Sequence, residues 1–506
     1  MDRLIRHNSA TTPDKPAVIE PETSLTHGEL DSTTRRLAAV LVDAGVGKGT
    51  RVGVLLPNGT AWVQLAVALT RIGAVLVPLS TLLRPPELRA QLRVAAVRIV
   101  VTVAEFRGRR YLEDLPPGPD PAVPLSDPAL PALRHVWTID QLFARTPSAP
   151  ARGIVDALAE SVCAADPLVV LFTSGSRGMP KGVVHSHGSA FGAVRAGLAA
   201  RCIDATTRLY LPMPFFWVGG LGGGVLSALV AGATLITEAI PQPETTLELL
   251  RRERVTLFRG WPDQAEALAR RAAELDLPVP TLRPGSLEAL LPPALRSKPG
   301  ARANLFGMTE SFGPYCGYPA DTDLPDTAQG SCGRPFPGME VRITDPGDGH
   351  PVPPGTVGVI ELRGPHILRG ICGRDDVLTR DGFYPTGDLG RLDTQGFLFY
   401  HGRSDDMFKV SGATVYPSEV ERALRAVDGV DEAFVAEVAG SVGAVVVCDP
   451  ATTPESLRAE VRESLSAFKI PTVWVLLDSP ELVPRGGTGK ADLPGLRALL
   501  AQGTHR

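Results

Sequence analysis

The chain has no cysteines spaced to clamp a metal or staple a small fold. Its six cysteines, at 163, 202, 316, 332, 372 and 448, are scattered through 506 residues and none forms a CxxC pair. That argues against a zinc site and against a disulfide framework. An excess of either charge is also lacking. Lys and Arg number 51 against 55 Asp and Glu, a net charge of −4, so no basic face is offered to nucleic acid. No apolar leader follows Met1-Asp2-Arg3, and the expected compartment is the cytoplasm. Residues 218–237 run twenty positions without a charge, the length of a bilayer span. Six of them are glycine, and each glycine weakens a helix by up to about 1 kcal/mol. A buried helix followed by a buried strand, Ala233-Thr234-Leu235-Ile236, fits better, and no membrane span is expected.

Hydrophobic residues at 44% and charged residues at 21% describe a globular protein. The length calls for about three domain-sized units. The first half alternates two periods. Leu37, Val40, Leu41 and Ala44 form a helical stripe within 30–44. Residues 51–56 read as a buried strand, 61–72 as a helix ended by Gly73, and 74–79 and 98–102 as further strands. Such alternation implies a layered α/β core with a largely parallel sheet. Residues 113–153, rich in proline and aspartate, read as an irregular excursion. From about Gly330 short strands with Gly/Pro turns, at 339–343, 357–362 and 397–400, suggest a smaller β-rich subdomain. After Gly402-Arg403-Ser404-Asp405-Asp406 a helix at 419–427 and strands at 431–438 and 442–447 indicate a compact α+β unit of roughly 100 residues.

Four motifs carry chemistry. Phe172-Thr173-Ser174-Gly175-Ser176-Arg177-Gly178-Met179-Pro180-Lys181-Gly182 follows the apolar run 168–171. A strand there feeds a loop whose glycines admit an anion to the backbone N–H groups, with hydroxyls and one lysine to hold it. It is not a Walker A loop, because Pro180 precedes Lys181 and Gly182 follows it. A Gly/Ser-rich surface turn is the plainer reading. Asn304-Leu305-Phe306-Gly307-Met308-Thr309-Glu310 offers an aromatic face for a purine, a hydroxyl for a phosphate and a hard oxygen for Mg2+. Asp381-Gly382-Phe383-Tyr384-Pro385-Thr386-Gly387-Asp388 ends in a carboxylate suited to a ribose, or to capping a turn. Pro484-Arg485-Gly486-Gly487-Thr488-Gly489-Lys490 puts a lysine on a glycine loop near the end of the sequence.

In this order the four motifs resemble those of the adenylate-forming (AMP-binding) enzymes, most of all the acyl-CoA synthetases. Weaker matches at 214–220, 333–335, 407–412 and 468–471 spread the resemblance over nearly the whole chain. It implies a large N-terminal adenylation domain over 1–402 with a β-rich subdomain, a hinge at 403–406, and a small mobile C-terminal α+β domain over 407–506. It assigns Thr173, Ser174, Gly175, Ser176, Gly178 and Lys181 to the phosphates of ATP, and Phe306 and Gly307 to adenine. Thr309 falls to phosphate, Glu310 to Mg2+, Asp388 and Arg403 to the ribose, and Lys490 to adenylation.

The implied reaction is activation of a carboxylic acid to an acyl-adenylate, followed by thioester formation with coenzyme A. The implied hinge is Asp405, about which Lys490 gives way to the Lys409 face, with Ser411 and Gly412 lining a thiol tunnel. A carrier protein's phosphopantetheine is the alternative acceptor, and a non-catalytic nucleotide-binding scaffold the alternative class. Relatives that activate amino acids place an aspartate after the segment at Pro214. Here Phe215-Phe216-Trp217-Val218 stands instead, so amino acids are disfavoured. His187, Phe216, Trp217, Gly220 and Phe312 are the expected pocket walls. Two stretches depart from the family pattern: 287–292, where a Gly-Gly-Ala-Pro-like strand end is usual, and Ile371, where an aromatic often follows Gly370.

Overall fold

The computed structural model describes residues 1–116, 124–173, 180–404, 408–410, 413–462, 464–465, 469–486 and 489–503, with the backbone alone for Asp263, Lys409, Ala413 and Thr414. The chain falls into two compact units. One comprises Met1–Glu340 and Arg363–Tyr384, the other Val341–Leu362 and Pro385–Arg506.

The first unit is built on two sheets. The larger runs in the order Gly370–Ile371, Lys181–Ser186, Pro167–Thr173, Val75–Pro78, Arg51–Leu55, Ile99–Thr102, His135–Thr138. Its last five strands are parallel and its first two join antiparallel. The apolar runs in the parallel part are buried on both faces, as β-strands covered by helices must be. The smaller sheet is ordered Leu257–Phe258, Arg208–Tyr210, Thr234–Ile236, Pro16–Ile19, Ser24–Thr26. Helix His27–Asp43 starts where Thr26 and Glu29 exchange side-chain and backbone hydrogen bonds. Helix Thr60–Arg71 is buried on nearly every side. Its Trp62 packs edge-on to Phe215, with ring centroids 5.3 Å apart, and its one buried cation, Arg71, pairs with Asp2 and Asp31.

The described residues after 123 in the stretch 113–153 are more regular than expected. Strand His135–Thr138 joins the sheet edge in parallel register with Ile99–Thr102, and Thr138 caps the short helix Ile139–Ala144. Helix Ala149–Ser161 follows, with Pro150 in its first turn. Proline there starts a helix and does not break one. The charge-free stretch folds as a helix-and-strand pair, Gly219–Leu226 and Ser227–Ala231 leading to Thr234–Ile236. Among the described residues no helix is long and apolar enough to cross a membrane.

The second unit holds the strands Gly358–Arg363, Tyr384–Leu392 and Leu398–Arg403, followed by a three-stranded sheet, Val430–Val438, Ser441–Cys448 and Val473–Leu477. Helices Pro417–Arg425, Pro454–Val461 and Leu493–Gly503 accompany it. Ser418 donates to the His401 carbonyl at 2.5 Å, and a side chain at Gly402 would strike Ser418 Oγ at 2.8 Å. Strand Leu398–Arg403 and helix Pro417–Arg425 therefore touch in this structure.

Candidate active site

The first motif is anchored by sheet register. Strand Pro167–Thr173 pairs antiparallel with Lys181–Ser186 so that Thr173 lies opposite Lys181 and Phe172 opposite Gly182. Thr173 and Lys181 therefore stand side by side at the two ends of the motif. Ser174, Gly175, Ser176 and Gly178 lie outside the described residues.

Lys181 reaches across to the second motif, 129 residues later. Its ammonium pairs with Glu310 Oε1 and donates to the Tyr384 hydroxyl at 2.8 Å. The hydroxyl in turn donates to the same carboxylate oxygen at 3.3 Å. The side chains of Lys181 and Glu310 are only 15% and 6% exposed, so each removes much of the other's cost of leaving water. Three segments far apart in sequence meet at one carboxylate.

Glu310 is held by a strained turn. Strand Phe306–Met308 pairs antiparallel with Gly313–Gly317, and Thr309–Ser311 make one tight helical turn between them. Gly307 is required here, since a Cβ would lie 2.1 Å from the Gly313 carbonyl oxygen. Phe312 follows at φ +54 although it is a buried aromatic. That conformation costs about 1–2 kcal/mol outside glycine. His185 Nε2 lies 2.7 Å from the Thr309 carbonyl oxygen. A carbonyl brings no proton, so Nε2 carries it and Nδ1 faces Ser189 Oγ at 3.4 Å as an acceptor. Burial drives the imidazole down to about 4, against the pull of Thr309 and Glu310. His185 therefore braces the turn as a neutral ring, with its edge toward Phe312 at 5.0 Å. Phe306 meets Tyr315 edge to face.

In the second unit Asp388 and Arg403 are cross-strand neighbours. Arg403 Nη1 lies 3.3 Å from Asp388 Oδ1 and donates to the Thr386 carbonyl at 3.2 Å. Lys490 is exposed on a short loop closed by a bond from Gly486 N–H to the Lys490 carbonyl at 2.8 Å. The backbone of Lys409 sits in the hairpin strand Phe408–Val410. Asp405, Ser411 and Gly412 lie outside the described residues.

Of the expected pocket walls, Phe216 and Trp217 line a cavity of about 190 Å³ with Phe106, Trp261 and Glu238. Trp217 and Trp261 meet edge to face at 6.0 Å. His187, Gly220 and Phe312 do not line it. His187 opens helix His187–Gly197, its charged neighbours being the Met1 amino group, Asp166 and Lys48. Gly220 presses its α-carbon on the Pro214 backbone, where a Cβ would sit 2.0 Å from the carbonyl oxygen. Phe312 packs under Gly222. Sequence reasoning gave no role to Tyr384 or His185. Tyr384 lay inside the third motif, and its position there was the available signal.

Among the described residues no three His, Cys, Asp or Glu side chains cluster as a metal cage. The buried carboxylate of Glu310 still suits Mg2+, which binds one or two carboxylates and completes its shell with water and phosphate oxygens.

Comparison with known proteins shows the family and the fold. Residues 5–372 match the family described as AMP-binding enzyme. The chain is 32% identical to the 7a-methyl-1,5-dioxo-octahydro-1H-inden-4-yl propanoyl:CoA ligase of Mycobacterium tuberculosis, with 99% of this chain aligned to 98% of that protein. It is 30% identical to a 3-hydroxybenzoate–CoA ligase of an Aromatoleum species, over 97% of this chain and 94% of the relative. Among solved structures, the anthranilate CoA ligase AuaEII with anthranoyl-AMP shares the fold at a TM-score of 0.82 and 21% identity, over 100% and 98% of the two chains.

Proposed function

The chain belongs to the AMP-binding enzyme family, and on that premise we propose how its residues divide an AMP-forming acid–thiol ligase reaction. A carboxylic acid attacks the α-phosphate of ATP, giving acyl-adenylate and pyrophosphate. The thiol of coenzyme A then displaces AMP and leaves a thioester. No protein nucleophile is needed, because the catalysis is positioning and charge neutralisation. Thr173, Lys181 and the loop between them hold the β- and γ-phosphates. Glu310 holds Mg2+, which when bound offsets phosphate charge. Thr309 takes a phosphate, Phe306 and Gly307 the adenine, and Asp388 with Arg403 the ribose. Lys490 neutralises charge developing at the α-phosphate. For the second step the C-terminal domain turns at Asp405 and exchanges Lys490 for Lys409, with Ser411 and Gly412 beside the pantetheine arm. The setting is the cytoplasm.

The observation that carries this reading is the Lys181–Glu310–Tyr384 contact, which joins the phosphate loop to the adenine turn. The acid we infer carries a single ring or small fused rings. A cavity of about 150 Å³ holds benzene, and the one here is of that order, about 190 Å³, with aromatic walls. The two curated relatives are named for ring-bearing acids.

Mass spectrometry of the protein with ATP, Mg2+ and a panel of aryl, alicyclic and linear acids, with and without CoA, tests the reading. Acyl-AMP that converts to acyl-CoA is the expected result. Acyl-AMP that persists with CoA present replaces CoA by a carrier protein. No adenylate with any acid refutes the reading in favour of a nucleotide-binding scaffold.

A further inference from the structure

Among the described residues Arg201 is a buried cation without a counter-charge. Its side chain is 5% exposed. Its one side-chain hydrogen bond among the described residues runs from Nη1 to the Val194 carbonyl at 3.4 Å, a long contact to a neutral acceptor. Neither Nε nor Nη2 has a hydrogen bond to another of the described residues. The charged group it feels is another guanidinium, Arg259, and burial together with that neighbour pushes Arg201 down to about 10. Arg259 gives no relief. Its Nη2 donates to the Arg201 carbonyl at 3.0 Å, and its own Nε is buried without a partner. Helix His187–Gly197 ends beside Arg201 and supplies only a partial negative charge. An uncompensated buried charge costs several kcal/mol, so its retention points to an anion or strong acceptor that arrives from outside.

The surroundings say what arrives. A Cβ on Gly197 would lie 2.7 Å from Arg201 Nη1, so that glycine makes room for the guanidinium. A Cβ on Gly313 would lie 3.8 Å from Arg201 Nη2 and 4.0 Å from Val218 Cγ2, with nothing nearer. The guanidinium therefore borders the same point as Val218, the residue after Trp217, and Gly313. Gly313 is three residues past Glu310, within about 11 Å along the backbone. Neither guanidinium lines the aromatic cavity itself, but Arg259 is two residues before Trp261 and Val218 one after Trp217, both walls of it.

We propose that Arg201 recognises a second carboxylate or a ketone oxygen on the acid substrate, remote from the carboxylate that is activated. The inference rests on the adenylate-forming reading and narrows its substrates to ring-bearing dicarboxylic and keto acids. The planar guanidinium can give such an oxygen two parallel hydrogen bonds, which a lysine cannot.

ATP–pyrophosphate exchange with paired acids tests it: isophthalate against benzoate, and 3-(4-oxocyclohexyl)propanoate against 3-cyclohexylpropanoate. In at least one pair the acid with the second oxygen is expected to lead by tenfold or more in kcat/KM. Arg201→Met is expected to cut that ratio at least tenfold, through KM. Arg201→Lys, which keeps the charge and loses the fork, cuts it less and stands in should the methionine variant fail to fold. A purely structural Arg201 would lower both members of a pair in the same proportion. An unmoved ratio, or a wild type that favours the plain acid in both pairs, overturns the proposal. Absence of exchange with every acid is a different failure, since it removes the ligase reading and this inference with it.

Discussion

The turn that carries Glu310 and the loop that carries Lys490 present two charged groups in opposite settings. Glu310 is 6% exposed, paired with Lys181, bonded by Tyr384, and set on a turn that His185 braces and Phe312 strains. Lys490 is exposed. Its loop is closed by local bonds from Gly486 and Gly489, and Arg485 anchors it to Glu432 at 2.6 Å. One charge is preorganised by the core. The other stands in water, on a loop closed by local backbone bonds. The contrast suits the proposed division of labour, in which the groups assigned to the phosphates stay in place while Lys490 serves one step only.

If that contrast holds, substitutions on its two sides should differ in kind. Glu310→Ala strands the Lys181 ammonium in a nearly dry site and should cost about 3 kcal/mol of stability or more. Chemical denaturation would read that loss, along with lost adenylation. Lys490→Ala should slow adenylation by roughly 10²–10³ with the thermal midpoint unchanged. A lysine that also mattered to the fold would lower both and collapse the distinction.

The bracing histidine sharpens the comparison through pH. His185 titrates near 6.5 when unfolded and at about 4 when folded, so the unfolded state binds the extra proton. Its contribution is complete above pH 6.5 and is lost as pH falls toward 4, up to about 3 kcal/mol. His185→Gln keeps a donor and cannot titrate, so a stability–pH curve should lose that part of its acid slope. His27 and His187, likewise pushed down by burial, should keep theirs. The smallest effect belongs to the loop. Arg485→Ala removes a half-exposed ion pair worth about 0.5 kcal/mol, and its expected signature is a changed adenylation rate with stability nearly intact.

Much of the scaffold was legible because it is written in local patterns. Apolar runs gave the parallel strands, and the 3.6-residue stripe gave helix His27–Asp43. Residues 113–153 misled because proline in a first helical turn looks, in sequence, like proline in a loop. The site residues were legible as types in order, but not as partners. Nothing local announces that Lys181 will meet Glu310 across 129 residues, or that Tyr384 will bridge them. Gly220 and Gly307 were read as ligand-facing, and each also has a purely steric reason to be glycine. The unpaired charge of Arg201 exists only once the core closes around it.

The segment after Trp217 is wound one residue too wide. Over Gly219–Leu226 the helix is of the π form, and the Ser227 N–H reaches back five residues to the Gly222 carbonyl. A π-turn is an α-helix with an insertion, and the stretch is spring-like in that sense. Deleting one of its glycines would let the remainder rewind as α-helix. Everything on the Trp217 side would then rotate by about 100° relative to Ser227–Ala231. A single codon lost there would re-aim the indole without changing any residue that lines the cavity, a cheaper route to a different acid than remodelling the walls.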